Sequence, residues 1–179
     1  DNFPPFLHEI DRWFTELPAN FDDDLHTKPE VHRSFMTGWM NRYPFMSIDR
    51  DDPDIWLRQL DYYVKLHELS DQSLGLILGA MDDIGGWDDT IVIFTADHGD
   101  QCGSHGLRSK GPWNYQETMR VPLYMVAPGV TTPATTSHSL TSAVDVARAI
   151  AEFAGVNAAD TPTLQGSSMV PLFEDPTSK

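Results

Sequence analysis

The sequence is poor in cysteine and in basic residues. Its single cysteine, Cys102, excludes a disulfide within the chain. The 12 lysines and arginines are outnumbered by 27 aspartates and glutamates, which gives a formal net charge of −15. Such a surface repels the phosphates of nucleic acids and of anionic lipids. We therefore do not expect a nucleic acid as a partner. No apolar run approaches the roughly 20 residues of a membrane-spanning helix, so we do not expect a membrane as a partner either.

The composition is typical of a globular protein. Apolar residues make up 40% and charged residues 22% of the 179 residues, a balance that fits one domain with a hydrophobic core. The first residues, Asp1-Asn2-Phe3-Pro4-Pro5, lack the basic start and the apolar stretch of a signal peptide. The sequence leaves open whether the chain is cytoplasmic or exported, and whether it forms an oligomer.

Two patterns divide the first half of the chain. Residues 1–53 carry recurring prolines and aromatic residues without a regular period, which predicts loop-rich structure. Residues 54–84 repeat apolar side chains at steps of three and four, which predicts one long helix that ends at a pair of glycines. The expected apolar face comprises Leu57, Leu60, Val64, His67, Asp71, Leu74, Leu78 and Met81. We interpret His67 and Asp71 as a buried, hydrogen-bonded pair rather than a catalytic one.

The second half of the chain predicts strands and helices in alternation. Residues 88–130 contain two strands joined by a loop. The first strand, residues 91–95, is apolar on both faces, which is typical of a central parallel strand covered by helices. The second strand covers residues 121–126, and residues 139–179 form a helix and a tail. The resulting order indicates an α/β fold, in which ligands bind at the carboxyl ends of strands.

Asp97 and His98 follow the first strand. Adjacent side chains on a regular strand point to opposite faces, but Gly99 permits a bend that brings both to one point. A carboxylate oxygen beside an imidazole nitrogen suits a divalent cation such as calcium, magnesium or manganese. Two ligands make a weak site, so a hard cation needs further carboxylates from elsewhere. Taken alone, the pair would more often be a turn residue beside a solvated histidine.

The residues after Asp97 and His98 favour a functional role for this pair. Lys110 follows His98 by twelve residues, and a second strand comes shortly afterwards. Together these segments resemble the sulfatases, the formylglycine-dependent branch of the alkaline phosphatase superfamily. The resemblance is carried by Asp88-Asp89-Thr90-Ile91-Val92-Ile93-Phe94-Thr95-Ala96-Asp97-His98-Gly99-Asp100, by Gly103-Ser104-His105-Gly106, by Lys110-Gly111 with Tyr115 and Glu117, and by Arg120-Val121-Pro122-Leu123. Weaker agreement, as in Pro18-Ala19-Asn20-Phe21, extends the resemblance over most of the chain.

The resemblance implies a fold and an activity. The fold is an alkaline phosphatase-like sandwich with a mostly parallel central sheet flanked by helices, and residues 1–179 form part of its catalytic domain. The activity is hydrolysis of sulfate esters of small molecules or glycans. Asp97 and His98 would bind one divalent cation, with calcium as the first candidate and manganese or magnesium as alternatives, although an imidazole favours a softer ion. Lys110 would bind the sulfate and stabilise charge during bond cleavage.

His105 lies in the Gly-Ser-His-Gly segment and has two interpretations. Within the resemblance it would contact the substrate or support the metal site as a catalytic histidine. As a histidine in a glycine-rich loop it would have a purely structural role, hydrogen-bonded to the backbone. We expect Tyr115, Glu117 and Arg120 to tie this loop to the next strand rather than to contact substrate.

The nucleophile motif of the family is missing from this sequence. Sulfatases convert a cysteine or serine in a Cys-x-Pro-x-Arg or similar stretch to formylglycine, and acidic metal ligands precede it. Cys102 does not lie in such a stretch, so we interpret it as a free, partly buried thiol. For the histidine that the family usually supplies upstream, His8 is only a weak counterpart. We expect the remaining N-terminal part of the enzyme to supply the nucleophile, and the isolated chain neither to fold fully nor to hydrolyse a sulfate ester.

Two other functions fit the same residues. A phosphodiester or phosphonate monoester hydrolase of this superfamily would use the same metal pair and lysine. A non-catalytic fragment, or a family member that has lost catalysis, would keep these residues without a nucleophile.

Overall fold

The computed structural model describes residues 10–35 and 51–177, so His8 lies outside the described part. The chain divides into two compact units. The first contains Asp1–Ile84 and His98–Pro122, and the second contains Gly85–Asp97 and Leu123–Lys179.

The first unit is built around one long helix. Its elements are α1 (Pro53–Ile84), α2 (Gln116–Met119) and short 3-10 turns at Leu25–Thr27 and Ser104–Gly106, and residues 31–35 are also helical. The amide of Asp54 donates to the Asp52 carboxylate over 3.1 Å, which satisfies one of the free amides at the start of α1. At the other end, Gly85 adopts a left-handed φ of 62° and stops the helix. The predicted long helix is therefore confirmed.

The apolar face predicted for α1 is only partly correct. Buried residues occur near its start, where Trp56 is 1% exposed and Leu60 is 8% exposed. His67 and Asp71 are both exposed, so the interpretation as a buried pair is wrong. The Nδ1 atom of His67 instead lies 2.9 Å from the carbonyl oxygen of Tyr63, one turn earlier in the same helix. A helical period identifies the residues that share a face, but not how much of that face a neighbour covers.

Two small hydrophobic clusters anchor the loops of the first unit. In one, Phe21 packs edge to face against Trp56, with ring centroids 5.3 Å apart. In the other, Leu25 and Trp113 pack against Leu107, which is fully buried. Both clusters join residues that are far apart in sequence, and both hold the chain segment around residues 103–107 in place.

The second unit contains the two described strands. Its elements are a 3-10 turn at Gly86–Asp88, β1 (Val92–Thr95), β2 (Leu123–Val126), α3 (Ala143–Phe153), a turn at Ala158–Asp160 and α4 (Val170–Glu174). β1 pairs with β2 in antiparallel register, with Val92 opposite Val126 and Thr95 opposite Leu123. The parallel neighbour expected for β1 is wrong for this pair. Apolar residues on both faces of a strand do not fix the direction of the strand beside it. The predicted covering of both faces is also wrong for the described residues, because Phe94 in β1 is 45% exposed.

The side chain of Asp145 caps the start of helix α3. The amide of Ser142 donates to the carboxylate of Asp145 over 2.6 Å, and the second oxygen of that carboxylate accepts from the amide of Ser167 over 2.7 Å. Asp145 is 9% exposed, and these two bonds compensate for the burial of its carboxylate. Among the described residues, no helix combines the length and the apolar character that crossing a membrane requires.

Candidate active site

Asp97 and His98 follow β1, as the sequence predicts. Asp97 is exposed and His98 is half-buried. The Nδ1 atom of His98 lies 2.8 Å from the carbonyl oxygen of Gly99. Because a carbonyl oxygen can only accept, Nδ1 carries the hydrogen, and the neutral ring then presents the lone pair of Nε2. This tautomer allows Nε2 to act as a metal ligand.

A cation bound by Asp97 and His98 needs further ligands. Within residues 10–35 and 51–177, no group of three or more histidines, cysteines, aspartates or glutamates is arranged to hold a metal ion. One carboxylate and one imidazole suit a divalent cation, but they fill only two of the roughly six to eight positions around calcium. The described residues therefore contain at most part of a metal site.

The bend after His98 depends on a close approach of two backbone segments. The amide of Gly99 donates to the carbonyl oxygen of Thr118 over 2.8 Å. A Cβ atom at position 99 would overlap the carbonyl oxygen of Glu117. Glycine is thus required at this position because only a hydrogen atom fits against the opposite backbone.

Residues 99–110, which we call the 99–110 loop, fold back on themselves. One carboxylate oxygen of Asp100 accepts from the amides of Cys102 and Ser109, at 2.8 and 3.2 Å. The amide of Gln101 donates to the carbonyl oxygen of Ser109 over 3.2 Å. These bonds close the base of the loop, so that its two ends lie side by side.

Thr118 contacts both ends of the 99–110 loop. Its hydroxyl donates to the carbonyl oxygen of Lys110 over 3.1 Å and accepts from Nε2 of Gln101 over 2.7 Å. Thr118 is 6% exposed and Gln101 is fully buried. Since the carbonyl oxygen of Thr118 also accepts from Gly99, a single residue binds the start and the end of the loop.

Lys110 stands at the end of this loop with its side chain exposed. Among the described residues, no carboxylate lies within ion-pair distance of its ammonium group. The chain turns immediately afterwards at Gly111, whose φ is 59° and where a Cβ atom would overlap the Trp113 ring. The backbone of Lys110 is thus fixed on both sides, and its ammonium group is available to an anion.

His105 occupies the tip of the loop and binds a distant segment. It adopts a left-handed backbone, with φ of 60°, and its amide donates to the carbonyl oxygen of Asn20 over 3.0 Å. Its Nδ1 atom lies 2.8 Å from the Asp23 carboxylate. Its Nε2 atom lies 3.3 Å from Nδ2 of Asn20 and 3.7 Å from the Glu117 carboxylate. Both ring nitrogens therefore contact protein groups, and only 15% of the side chain is exposed.

The two carboxylates beside His105 favour their ionised forms. The hydrogen bond with His105 is the main reason why the pKa of Asp23 lies below its ordinary value, and Lys28, 3.2 Å away, adds to the effect. Burial raises the pKa of Glu117, but hydrogen bonds from its own backbone amide and from Asn20 outweigh burial and leave that pKa lowered. At neutral pH the ring of His105 thus lies between two negative charges.

An aromatic residue also packs against the ring of His105. The Tyr115 ring stacks on it, with centroids 4.0 Å apart and an angle of 19° between the planes. The Tyr115 hydroxyl lies 2.9 Å from Nδ1 of His32, whose ring stacks on Trp113 at 5.0 Å. Burial raises the pKa of Tyr115, so its hydroxyl stays protonated at neutral pH. The role predicted for Tyr115 and Glu117, tying the loop in place, agrees with these contacts.

Cys102 is a free and partly buried thiol, as the sequence predicts. Burial raises its pKa strongly, and the negative charge of Asp100 and a hydrogen bond to it raise the pKa further. The thiolate that a nucleophile or a metal ligand needs is therefore disfavoured at neutral pH.

The structure places His98, His105 and Lys110 in one segment of the first unit, whereas Asp97 is the last residue of a segment of the second unit. Sequence reasoning missed the contacts of Asp23 and of Thr118. Asp23 lies two residues after Pro18-Ala19-Asn20-Phe21 and within three consecutive aspartates, and these two features are the signal in the sequence that could identify it. Thr118 gives no such signal, because its role depends on contacts that only the folded loop creates.

Comparison with known proteins identifies the family. The sequence matches the family described as Sulfatase over residues 8–156. An N-acetylglucosamine-6-O-sulfatase from Bacteroides thetaiotaomicron is 34% identical over 106 residues, which cover 59% of this chain and 18% of that protein. The multifunctional alkaline phosphatase superfamily protein PehA from Trinickia caryophylli is 32% identical over 127 residues, which cover 70% of this chain and 24% of that protein.

A solved structure described as a complex with its substrate D-glucosamine-2-N,6-O-disulfate aligns with a TM-score of 0.65 and 26% identity, covering 80% of this chain and 29% of that chain. The fold class is therefore the alkaline phosphatase-like fold, present here in part. The chain spans less than a quarter of the length of the two curated relatives. Because the family match runs from residue 8 to residue 156 and covers most of the 179 residues, the chain belongs to the sulfatase family.

Proposed function

We propose that the protein containing this chain hydrolyses sulfate esters and that this chain supplies part of the active site. The observation that carries the proposal is the 99–110 loop, which begins directly after His98 and ends at the exposed side chain of Lys110. Since Nδ1 of His98 donates to the carbonyl oxygen of Gly99, the neutral ring carries its lone pair on Nε2. These groups match the chemistry of a divalent cation and an anion, respectively. Residues 1–179 would thus be one part of the catalytic domain.

Asp97 and His98 would hold one divalent cation, and further ligands would come from the rest of the protein. When bound, the cation neutralises charge on the sulfate oxygens. Calcium is the first candidate, because one carboxylate already suits a hard ion, and manganese or magnesium are the alternatives. Sulfatases generally also use formylglycine, and no motif for it occurs in this sequence.

Lys110 would bind a sulfate oxygen through its ammonium group. A fixed cation that faces developing negative charge stabilises the transition state more than the ground state. The turn at Gly111 and the contact with Thr118 limit the movement of the Lys110 backbone. Only the side-chain torsions of Lys110 then need to change for its ammonium group to reach the anion.

His105 would act by holding the 99–110 loop against the segment that contains Asn20 and Asp23. Its two ring nitrogens already contact protein groups, and this favours support of the site over transfer of a proton to substrate. A His105→Gln variant of the full-length protein tests this role. We expect lower kcat/KM with an unchanged pH profile, whereas loss of one limb of the pH profile would assign His105 a proton-transfer role.

Sulfated sugars are the substrate class we propose. The relatives include an N-acetylglucosamine-6-O-sulfatase and a structure in complex with a disulfated glucosamine. A direct test compares release of inorganic sulfate from 6-O-sulfated N-acetylglucosamine and from an aryl sulfate. Turnover of the aryl sulfate alone would contradict a sugar substrate but not sulfatase activity.

A phosphonate monoester or phosphodiester hydrolase is the second candidate. It is favoured by the similarity to a multifunctional member of the alkaline phosphatase superfamily. Measuring kcat/KM of the full-length protein on an aryl sulfate and on an aryl phosphonate monoester separates the two. We expect the sulfate to be the better substrate, and chelation of divalent cations to abolish turnover. Absence of turnover on both substrates with metal present would support the non-catalytic alternative.

A further inference from the structure

We propose that Thr118 is a positioning residue that fixes the distance between the two ends of the 99–110 loop, at Gly99 directly after His98 and at Lys110. The inference rests on the proposed function, because it concerns how His98 and Lys110 are held. Thr118 lies in α2, eight residues beyond Lys110, and belongs to no motif that indicates catalysis.

The geometry gives Thr118 three bonds to the loop. Its carbonyl oxygen accepts from Gly99, the residue directly after His98. Its hydroxyl hydrogen points to the carbonyl oxygen of Lys110, since that oxygen can only accept. The hydroxyl oxygen then accepts from the Gln101 amide, so the hydroxyl is used both as donor and as acceptor.

Burial makes these bonds difficult to replace. Gln101 is fully buried, and among the described residues its Oε1 atom already lacks a hydrogen-bond partner. Without the Thr118 hydroxyl, the Nε2 group of Gln101 would also lose its partner in a region that water does not reach. Loss of the hydroxyl is therefore expected to displace Gln101 and, with it, the base of the loop.

The backbone of Thr118 is itself held by a hydrogen bond to Tyr115. The amide of Thr118 donates to the carbonyl oxygen of Tyr115 over 3.1 Å, and Tyr115 stacks on His105. The position of Thr118 is thus fixed by the tip of the same loop whose base it binds. This closed arrangement holds the backbones of Gly99 and Lys110 relative to each other.

The test uses Thr118→Val in the full-length protein, since valine keeps the shape of threonine and removes the hydroxyl. Thr118→Ser keeps the hydroxyl and should behave like the wild type. Thr131→Val is the matched control: the Thr131 hydroxyl also bonds backbone groups, at 3.0 and 3.1 Å from Ala127, but it lies in the second unit.

Two measurements distinguish positioning from general stability. Thr118→Val should lower kcat/KM on an aryl sulfate by about 100-fold, the loss that displacement of a catalytic group by about 1 Å can cause. It should also speed hydrogen exchange in the 99–110 loop, and Thr131→Val should do neither. In a Lys110→Gln background, Thr118→Val should lower kcat/KM by no more than about threefold, because residues in one network are not additive.

Three results would overturn the proposal. In the first, Thr118→Val matches Thr131→Val in both activity and loop exchange. In the second, its effect is the same with and without Lys110, which would mean that Thr118 contributes only to stability. In the third, exchange in the loop stays slow in Thr118→Val, whether or not the enzyme is active. A wild-type protein without sulfatase activity would contradict the proposed function, and loop exchange would still test the contact.

Discussion

The Nδ1 atom of His105 lies 2.8 Å from the carboxylate of Asp23, a residue 82 positions earlier in the chain. This contact joins the tip of the 99–110 loop to the segment that follows Phe21. Asp23 is in turn 3.2 Å from Lys28, so its carboxylate faces two groups that favour its negative charge.

The first prediction concerns acid sensitivity of this contact. The pKa of Asp23 is lowered in the folded protein, so its contribution to stability is present above its ordinary pKa of 3.8 and is lost as the pH falls through the folded value. Asp23→Asn should therefore lower the melting temperature at about pH 5 and have progressively less effect towards about pH 2. Thermal unfolding of the full-length protein measures this.

Asp22→Asn is the control for this series, because Asp22 is exposed and adjacent in sequence. We expect it to leave the melting temperature unchanged across the same pH range. A deficit for Asp23→Asn that is equal at every pH would mean that the lost interaction does not depend on the charge of Asp23.

The second prediction concerns the close approach at Gly99. Gly99→Ala places a methyl group against the carbonyl oxygen of Glu117, so the two backbone segments must separate. We expect a loss of about 1–3 kcal/mol in the free energy of unfolding, the usual cost of overpacking, together with loss of activity. Urea denaturation and kcat/KM check both effects.

Gly75→Ala provides the opposite case. Gly75 lies within α1, and nothing lies within 4 Å of the position that its Cβ would take. This substitution should stabilise the helix by about 0.5–1 kcal/mol, because glycine is a poor helix former. If both variants changed stability equally, the steric argument for Gly99 would be incorrect.

The third prediction concerns Cys102. Its raised pKa keeps it in the thiol form, so alkylation of the folded protein at neutral pH should be slow. The rate should increase at least about tenfold when urea exposes the residue and restores the pKa of an ordinary cysteine. Cys102→Ser should retain most of the activity, since the thiol has no part in the proposed site. Equal alkylation rates in folded and unfolded protein would contradict this assignment.

The sequence predicted local features better than contacts. The period of residues 54–84 identified α1, and glycines indicated where the chain turns after it. The same period could not reveal that Leu76, Ile77 and Ile84 are 78, 63 and 75% exposed, because exposure depends on what packs against the helix. It also placed His67 on a buried face that is exposed in the structure.

In the candidate site too, the sequence predicts local features but not the contacts between distant residues. The order Asp97, His98 and Lys110 and its spacing were visible in the sequence, and they indicated chemistry through resemblance to a family. The bonds from Thr118 and Asp23 were not visible, because each joins positions that come together only when the loop has folded. The sequence does not predict that β2 is antiparallel to β1, because the direction of pairing depends on two strands together and not on either alone.

The most direct test of the account is the effect of Lys110→Gln on hydrolysis of an aryl sulfate by the full-length protein with calcium present. We predict turnover by the wild type and a decrease in kcat/KM of about 10²–10³-fold in the variant, the range found when a group that stabilises transition-state charge is removed. Lys65→Gln, which removes a lysine that is paired with Glu68 on α1 and has a 42% exposed side chain, should leave kcat/KM unchanged. Equal activity of Lys110→Gln and Lys65→Gln would contradict the role of Lys110, and no turnover by the wild type with any divalent cation would contradict the proposed function.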